Sequence, residues 1–577
     1  MPADSSHVNI NKKGKDKNTF DAIVIGSGIS GGWAAKELCA QGLKTLVLER
    51  GRDVKHIKDY PTATLAPWEF PHRGEPTRKM FKENPVTSKA PDYGEANAHF
   101  FIKDADHPYI QEKPFTWIRG YQIGGKSLTW GRACQRWSHF EFSAPARFGY
   151  GLDWPICYDD IAPWYSHVEK FIGVCGTKEG IESMPDGDFL PPFDLTCMEQ
   201  HLKDTIAKNY VNRYLVHARF AHITQPQQIQ IDQGRIKCMA RNMCMRGCPF
   251  GGYFSSNSST LPWAAKTGNL TIRPFSVVHS IIYDEQKNKV TGVRIIDTNT
   301  KQTTEFFARI IFVNASTLNS NLILLNSTSN RFPNGLGNDG GVLGKYVGFQ
   351  NYRGWVNCST ENFADKYYYG RNPTDSIIPN YRNLHKQDTN YVGGFSTFLG
   401  ATRERIDGDD LDEQIGDNYK EALTEPGPWQ MYAYLQGETI LKEKNHVRLS
   451  SDEKDQWGIP QLITAVDYDD NDEKLLQDFF EQTSEMFDKA GFEDIETEDT
   501  HQAPGLDIHE MGGCRMGNDP KNSMLNKWNQ LHACKNVFVT DGACMTSTGN
   551  QTPSILYMAL TARAANYAVD EMKKGNL

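Results

Sequence analysis

The sequence predicts an α/β protein that opens on a β-α-β unit and carries further sheet, and three observations support that expectation. Phe20 to Ile25 reads F-D-A-I-V-I, a short apolar strand that runs through glycines into a helical stretch ending near Leu38. Between about 271 and 315 three further β-rich segments follow one another. Trp429 to Leu435, W-Q-M-Y-A-Y-L, alternates with period two, as a strand with different chemistry on its two faces does. A chain of 577 residues has room for two to four units at roughly 100–200 residues each.

Each element follows in order. Met1 to Phe20 is polar, carries Lys12, Lys13, Lys15 and Lys17, and has neither a following apolar segment nor paired arginines, so it is not a secretory signal. Residues 1–17 are expected to form a polar disordered tail. After the first strand and helix, Thr45 to Leu48 is a second apolar strand ending at Glu49. From about 51 to 118 proline, aromatic and charged residues mix without a period, which predicts long surface segments, and a second glycine-rich patch spans Arg119 to Gly131. The strands between 271 and 315 are broken by a polar turn at Glu285 to Asn288. Leu475, Leu476, Phe479, Phe480 and Met486 give Asp472 to Ala490 a helical period, and Pro553 to Met572 is an apolar-faced helix.

Composition excludes several classes. There are 62 Lys plus Arg against 71 Asp plus Glu, a net charge of -9, and no basic block beyond the Lys-rich start, which argues against nucleic acid as a partner. No apolar run approaches the roughly 18 residues of a membrane helix, and mean hydropathy is -0.57. Twelve cysteines are too sparse for a disulfide scaffold, yet Cys238, Cys244 and Cys248 bunch as C-x5-C-x3-C-P.

The glycines after the first strand, Gly26, Gly28 and Gly31, form G-x-G-x-x-G before a helix, with Glu49 closing the next strand. That is the arrangement that lets backbone approach a pyrophosphate at a helix N-terminus while an acid holds the adenosine ribose, so a dinucleotide site is expected there. The pattern does not separate NAD from FAD, and a β-α turn that merely uses glycine is the plain alternative. H-E-M-G-G at His509 invites a zinc-protease reading, which fails because position 513 is Gly513 where the metal needs a second His.

Four motifs taken together, the glycine fingerprint, R-G-Y-Q-I-G-G-K-S-L-T-W-G (Arg119 to Gly131), H-E-M-G-G-C-R-M-G-N-D-P (His509 to Pro520) and V-T-D-G-A with G-N-Q-T-P (Val539 to Ala543 and Gly549 to Pro553), resemble the glucose-methanol-choline (GMC) family of FAD oxidoreductases, in that family's order and over almost the whole chain. The resemblance implies a GMC-type FAD-binding (Rossmann-like) domain from about 18–135, 236–348 and 503–577, and a substrate domain on an antiparallel sheet from 136–235 and 349–502. It implies that Gly26, Gly28, Gly31 and Glu49 hold the ADP half of FAD, that Gly124, Gly125 and Ser127 lie along the flavin, and that Val278 meets the adenine. Asp541 and Gly542 would bind near the pyrophosphate and ribityl chain, with Thr552 close by. His509 would be the catalytic base and Asn550 its partner. Alcohol oxidation by a flavin needs a base poised near neutral pH for the hydroxyl proton, which imidazole provides, while Asn550 could steady the alkoxide but not titrate.

Two departures matter. Thr129 stands where pyranose oxidases carry a flavin-linking His, so FAD is expected to be noncovalent, and Cys514 replaces the usual Thr near the base. The Cys triad is similar to the segment that holds a 3Fe–4S cluster in FAD glucose and fructose dehydrogenases; zinc and unligated thiols are the other readings. Tyr367, Tyr368, Tyr369, Trp429, Tyr432 and Tyr434 suit a carbohydrate-facing wall, though aromatics in strands usually pack in cores, and Gln350 is a candidate substrate contact.

The expectation is oxidation of a secondary hydroxyl of a sugar or glycoside, at C3, giving a keto sugar, since the motifs together look most like glucoside 3-dehydrogenases. Those travel with a small subunit bearing a twin-arginine signal and reduce a c-type cytochrome, which implies a periplasmic location by co-export; a cytoplasmic enzyme is the alternative. An oxygen-using oxidase of the pyranose oxidase type, a nicotinamide-dependent reductase and a noncatalytic flavin-binding scaffold stay open.

Overall fold

In a computed structural model of the protein, residues 9–10, 18–367, 374–403 and 415–577 are described. The opening β-α-β unit is the strand Thr19–Ile25, the helix Ile29–Ala40 and the strand Thr45–Leu48. Both strands are fully apolar along their inner stretch and bury it on both sides, as a parallel sheet covered on two faces requires. Leu270–Arg273 extends the sheet in parallel beyond Thr45–Leu48, and Asn9–Ile10 pairs in parallel with it in turn, so two residues of the stretch expected to be a disordered tail form the sheet edge. On the other side Thr19–Ile25 pairs in parallel with Thr303–Val313, which continues into an antiparallel meander with Lys289–Asp297 and Ser276–Asp284. Val537–Val539, far along the chain, completes the sheet beside the end of Thr303–Val313. The C-terminal helix Ser554–Lys573 lies against Ile29–Ala40, so Ala34, Ala35 and Leu38 share one core with Ala564, Ala565, Ala568 and Val569.

The second sheet is antiparallel throughout: Glu493–Asp499, Gly354–Thr360, Trp429–Gly437, Phe395–Thr402, Ser376–Ile378 and Val216–His217, side by side in that order. The period-two expectation for Trp429 to Leu435 is met in an instructive way. Trp429, Met431, Ala433 and Leu435 sink into a core roofed by the helices Asp470–Lys489 and Cys197–Asn209, while Tyr432, Tyr434 and Gln436 face the opposite way, into a cavity.

A third, small sheet joins His446–Lys454 and Pro460–Ala465 to Ile110–Gln111 and ties the two parts of the chain together. The stretch 51–118 is not merely surface: Tyr60, Phe100, Phe115, Trp117 and Ile118 are buried. Aromatics spaced without a period act there as separate anchors for irregular backbone, which periodicity does not reveal. The helices His139–Phe148 and Tyr158–Ile172 are also absent from the sequence expectation, and each carries an internal proline, Pro145 and Pro163, which reads as a breaker yet lies within the helix here.

Candidate active site

One cavity of about 540 Å3 runs from the glycine turn to the open face of the antiparallel sheet. At its first end the glycines divide their work. Gly26 holds φ +97°, and a Cβ there would meet the Asn314 carbonyl oxygen at 2.3 Å; a Cβ on Gly31 would meet the Gly26 oxygen at 2.0 Å. Around the Cβ position of Gly28 nothing lies within 4 Å, because that position faces the cavity. The helix Ile29–Ala40 starts at Gly28 with no side-chain cap, so its first N–H groups point free into the same space. Glu49 is buried beside them, accepting the Ser27 hydroxyl at 2.5 Å and the Gly51 N–H at 3.0 Å, and burial raises its pKa. Uncapped amides, an open cradle and a placed acid fit the ADP half of a dinucleotide.

Further along, Gly125, Ser127, Thr129, Val278, Asp541, Gly542 and Thr552 line the cavity. Gly124 and Gly31 stand behind its wall; a Cβ on Gly124 would meet Asn257 Oδ1 at 1.6 Å. Ser127 donates to the Gly124 carbonyl at 2.6 Å and accepts from Ser256 N–H, which fixes the turn. Asp541 caps the turn after it through the Ala543 N–H and accepts from Ser320 Oγ at 2.5 Å; burial raises it to about 6. Thr129 presents no imidazole to the cavity.

His509 sits on the wall between the two ends. Its Nδ1 lies 2.8 Å from Gln350 Oε1. The Gln350 amide orientation is fixed independently, because its Nε2 donates to the carbonyls of Thr548, Gly549 and Gln551 at 3.1, 2.8 and 2.9 Å. Oε1 is therefore the acceptor, Nδ1 carries the proton, and Nε2 keeps the lone pair. Burial, reinforced by the charge of Lys126, lowers His509 to about 3, so the ring is neutral.

Two expectations change here. Gln350 is fully buried behind His509 and does not reach the cavity, so it is a positioning residue and not a substrate contact. Asn550 is likewise buried off the cavity wall: its Nδ2 donates to Glu141 Oε1 at 3.2 Å and its Oδ1 accepts from Ser396 Oγ at 3.1 Å. The three-dimensional neighbourhood of a side chain amide is not written in its motif, and Glu141, a capping residue from a distant helix, competes for it.

The sheet end is lined by Tyr352, Tyr432, Tyr434, Asp375 and Gln436. Tyr434 stacks on Phe398 with ring centroids 5.3 Å apart, and Tyr432 donates to Asp375 Oδ1 at 2.9 Å. Of the aromatics singled out in the sequence, Trp429 belongs to the core, Tyr367 is exposed, and Tyr368 and Tyr369 lie outside the described residues. Cys238, Cys244 and Cys248 share one loop, whose Met245 touches the cavity and accepts from Arg132 at 3.4 Å. Among the described residues, however, no three His, Cys, Asp or Glu side chains converge as metal ligands, and the three triad thiols are each partly buried.

A dinucleotide cleft and a neutral, oriented imidazole on one cavity fit an oxidoreductase. The chain belongs to the GMC oxidoreductase family: the family's N-terminal model matches residues 20–339 and its C-terminal model residues 442–561. It is a FAD-dependent enzyme of that family. The chain is 25% identical over 574 residues to the fructose dehydrogenase large subunit of Gluconobacter japonicus, covering 96% of this chain and 98% of that one. It is 26% identical to 2-methyl-1,2-propanediol dehydrogenase of Mycolicibacterium austroafricanum (95% and 94%) and 25% identical to paromamine 6'-oxidase of Streptomyces fradiae (96% and 92%). A variant of Aspergillus oryzae RIB40 formate oxidase shares the fold, with a TM-score of 0.57 at 13% identity over 97% of this chain and 100% of that one.

Proposed function

We propose that the protein oxidises a secondary hydroxyl of a sugar or glycoside, at C3, to a ketone. The observation that carries this is the wall opposite the dinucleotide cleft: Tyr352, Tyr432 and Tyr434 with Asp375 face His509 across one cavity, an apolar plane beside a hydrogen-bond acceptor, which is what a polyhydroxylated ring presents to a protein. FAD bound in the cleft would supply the two-electron acceptor. His509 Nε2 takes the hydroxyl proton, Gln350 holds the ring and its tautomer, and Gln436, donating to Gln350 Oε1 at 2.5 Å, links that pair to the sheet. The fructose dehydrogenase and paromamine oxidase likenesses support a sugar hydroxyl as the donor.

For the acceptor, the reading is a c-type cytochrome reached through a 3Fe–4S cluster on Cys238, Cys244 and Cys248, in a complex with a small signal-bearing subunit in the periplasm. Cysteine spacing and the likeness to a protein named as a large subunit support it. The loop would have to close around the metal. The unconverged thiols and the paromamine oxidase likeness favour a second reading, an oxidase that reduces oxygen. Anaerobic titration with a panel of glycosides decides the first part: bleaching of the yellow chromophore by glycosides and a 3-keto product support it, and a chromophore that no sugar reduces overturns it. Iron analysis, electron paramagnetic resonance and peroxide yield in air decide the second.

A further inference from the structure

Taking the C–H electron pair and the O–H proton from an alcohol is balanced only if the proton goes to a base and the hydride, two electrons with one proton, goes to the acceptor. The proton goes to His509, whose imidazolium balances the one negative charge that the acceptor ring would gain. Once that proton leaves the site, the anion has a partner only if another positive group lies near the base, and a buried anion without one is expensive.

Among the described residues four permanently charged cations line the cavity: Arg50, Arg119, Lys126 and Arg132. Three of them are held by groups other than those around His509. Arg50 lies over the Tyr121 ring and reaches Asp455 at 3.5 Å, Arg119 donates to the His107 carbonyl at 2.7 Å and covers Trp117, and Arg132 donates to the Trp130 carbonyl at 2.6 Å beside Met245. Lys126 differs. It stands on the turn Gly125–Leu128, and its ammonium lies 3.6 Å from Glu510 Oε2, outside hydrogen-bond range, although that carboxylate is almost wholly buried. Closed buried pairs in the same chain are much tighter, 2.5 Å for Arg136–Glu169 and 2.6 Å for Arg273–Asp297. The second oxygen, Glu510 Oε1, is buried with no partner at all, and Glu510 follows His509 directly and lines the cavity with it. An unclosed ion pair with an orphaned acceptor, set on the wall beside the base, is arranged for a third party that brings both a donor and a place for positive charge.

We infer that Lys126 and Glu510 form a subsite for the cofactor's ring system, in which Lys126 balances the negative charge that the ring gains on reduction and Glu510 accepts from a ring N–H and holds the ammonium in place. This rests on the FAD assignment. Lys126 lies within G-G-K-S, but nothing in that motif's spacing calls for a charge at its third position, so the role comes from the structure alone.

The test is the two-electron midpoint potential of the purified holoenzyme, measured by equilibration with a reference dye, alongside its FAD content. Lys126→Met is expected to lower the potential by at least ~30 mV, a tenfold weakening of the reduced form relative to the oxidised one, and Lys126→Arg to recover most of it. Glu510→Gln, which releases the ammonium from its counter-charge, is expected to raise the potential, and it carries the test if Lys126→Met retains no flavin. Potentials of Lys126→Met and Glu510→Gln within error of the parent overturn the inference. A parent protein that holds no flavin would instead overturn the FAD assignment, which separates the two failures.

Discussion

At the scale of single residues, the site depends on one imidazole whose protonation is set by its surroundings. With the folded-state value lowered to about 3 from an ordinary value near 6.5, His509 is neutral in the folded protein from about pH 4 upward, so the acid limb of flavin reduction is expected to lie well below pH 6. His509→Ala is expected to slow substrate-driven flavin reduction at least ~100-fold while leaving FAD bound, as stopped-flow absorbance would show; a parent-like rate would remove His509 as the base. Thr129 leads to a second expectation: acid precipitation releases the yellow colour to the supernatant, and colour retained in the pellet would mean a covalent link elsewhere. The cavity-lining glycines were legible in the sequence because their motifs encode backbone geometry, and His509 because its motif resembles that of a known family. Gln350's service to His509 was not, since it depends on three carbonyls from the segment 548–551 meeting one buried amide.

At the scale of elements, the β-α-β turn makes a distinction that G-x-G-x-x-G alone does not. Gly31→Ala forces a Cβ onto the Gly26 carbonyl, whereas Gly28→Ala projects its methyl only into the cavity. Gly28→Ala is therefore expected to fold with a melting temperature close to the parent's apoprotein and to bind FAD at least ~10-fold more weakly, while Gly31→Ala loses stability as well. Thermal denaturation and flavin fluorescence on both variants check this, and equal melting temperatures for the two would contradict it. The opening strands were readable as short apolar runs, Trp429–Gly437 by its period of two, and Asp470–Lys489 by a continuous apolar face. The helices carrying Pro145 and Pro163, and the anchors at Phe100 and Trp117, were not, because proline and isolated aromatics carry meaning only once the surrounding packing is known.

At the scale of the whole molecule, burial of acids shapes how stability follows pH. Glu438 accepts from Tyr150 at 2.6 Å, and burial, with Glu141 nearby, raises it to about 7. Because that value exceeds the unfolded one, near 4.3, the folded form binds the extra proton, and stability is lost as pH rises through the window between the two. Glu438→Gln is expected to melt higher than the parent at pH 8, by on the order of 1–3 kcal/mol, and to match it near pH 4.5; a gain at both pH values would place the effect in packing instead. The strand Val537–Val539 and the helix Ser554–Lys573 bear on the order in which the molecule is made. Both lie far along the chain from their partners: one completes the sheet beside Thr303–Val313 and the other packs on the helix that begins at Gly28. During synthesis the helix that begins at Gly28 waits for more than five hundred residues before Ser554–Lys573 covers it, so this side of the cleft is completed late. A chain that stopped before Ser554 would leave Ala34, Ala35 and Leu38 uncovered, so a nonsense codon far from the glycine turn reaches the glycine turn all the same.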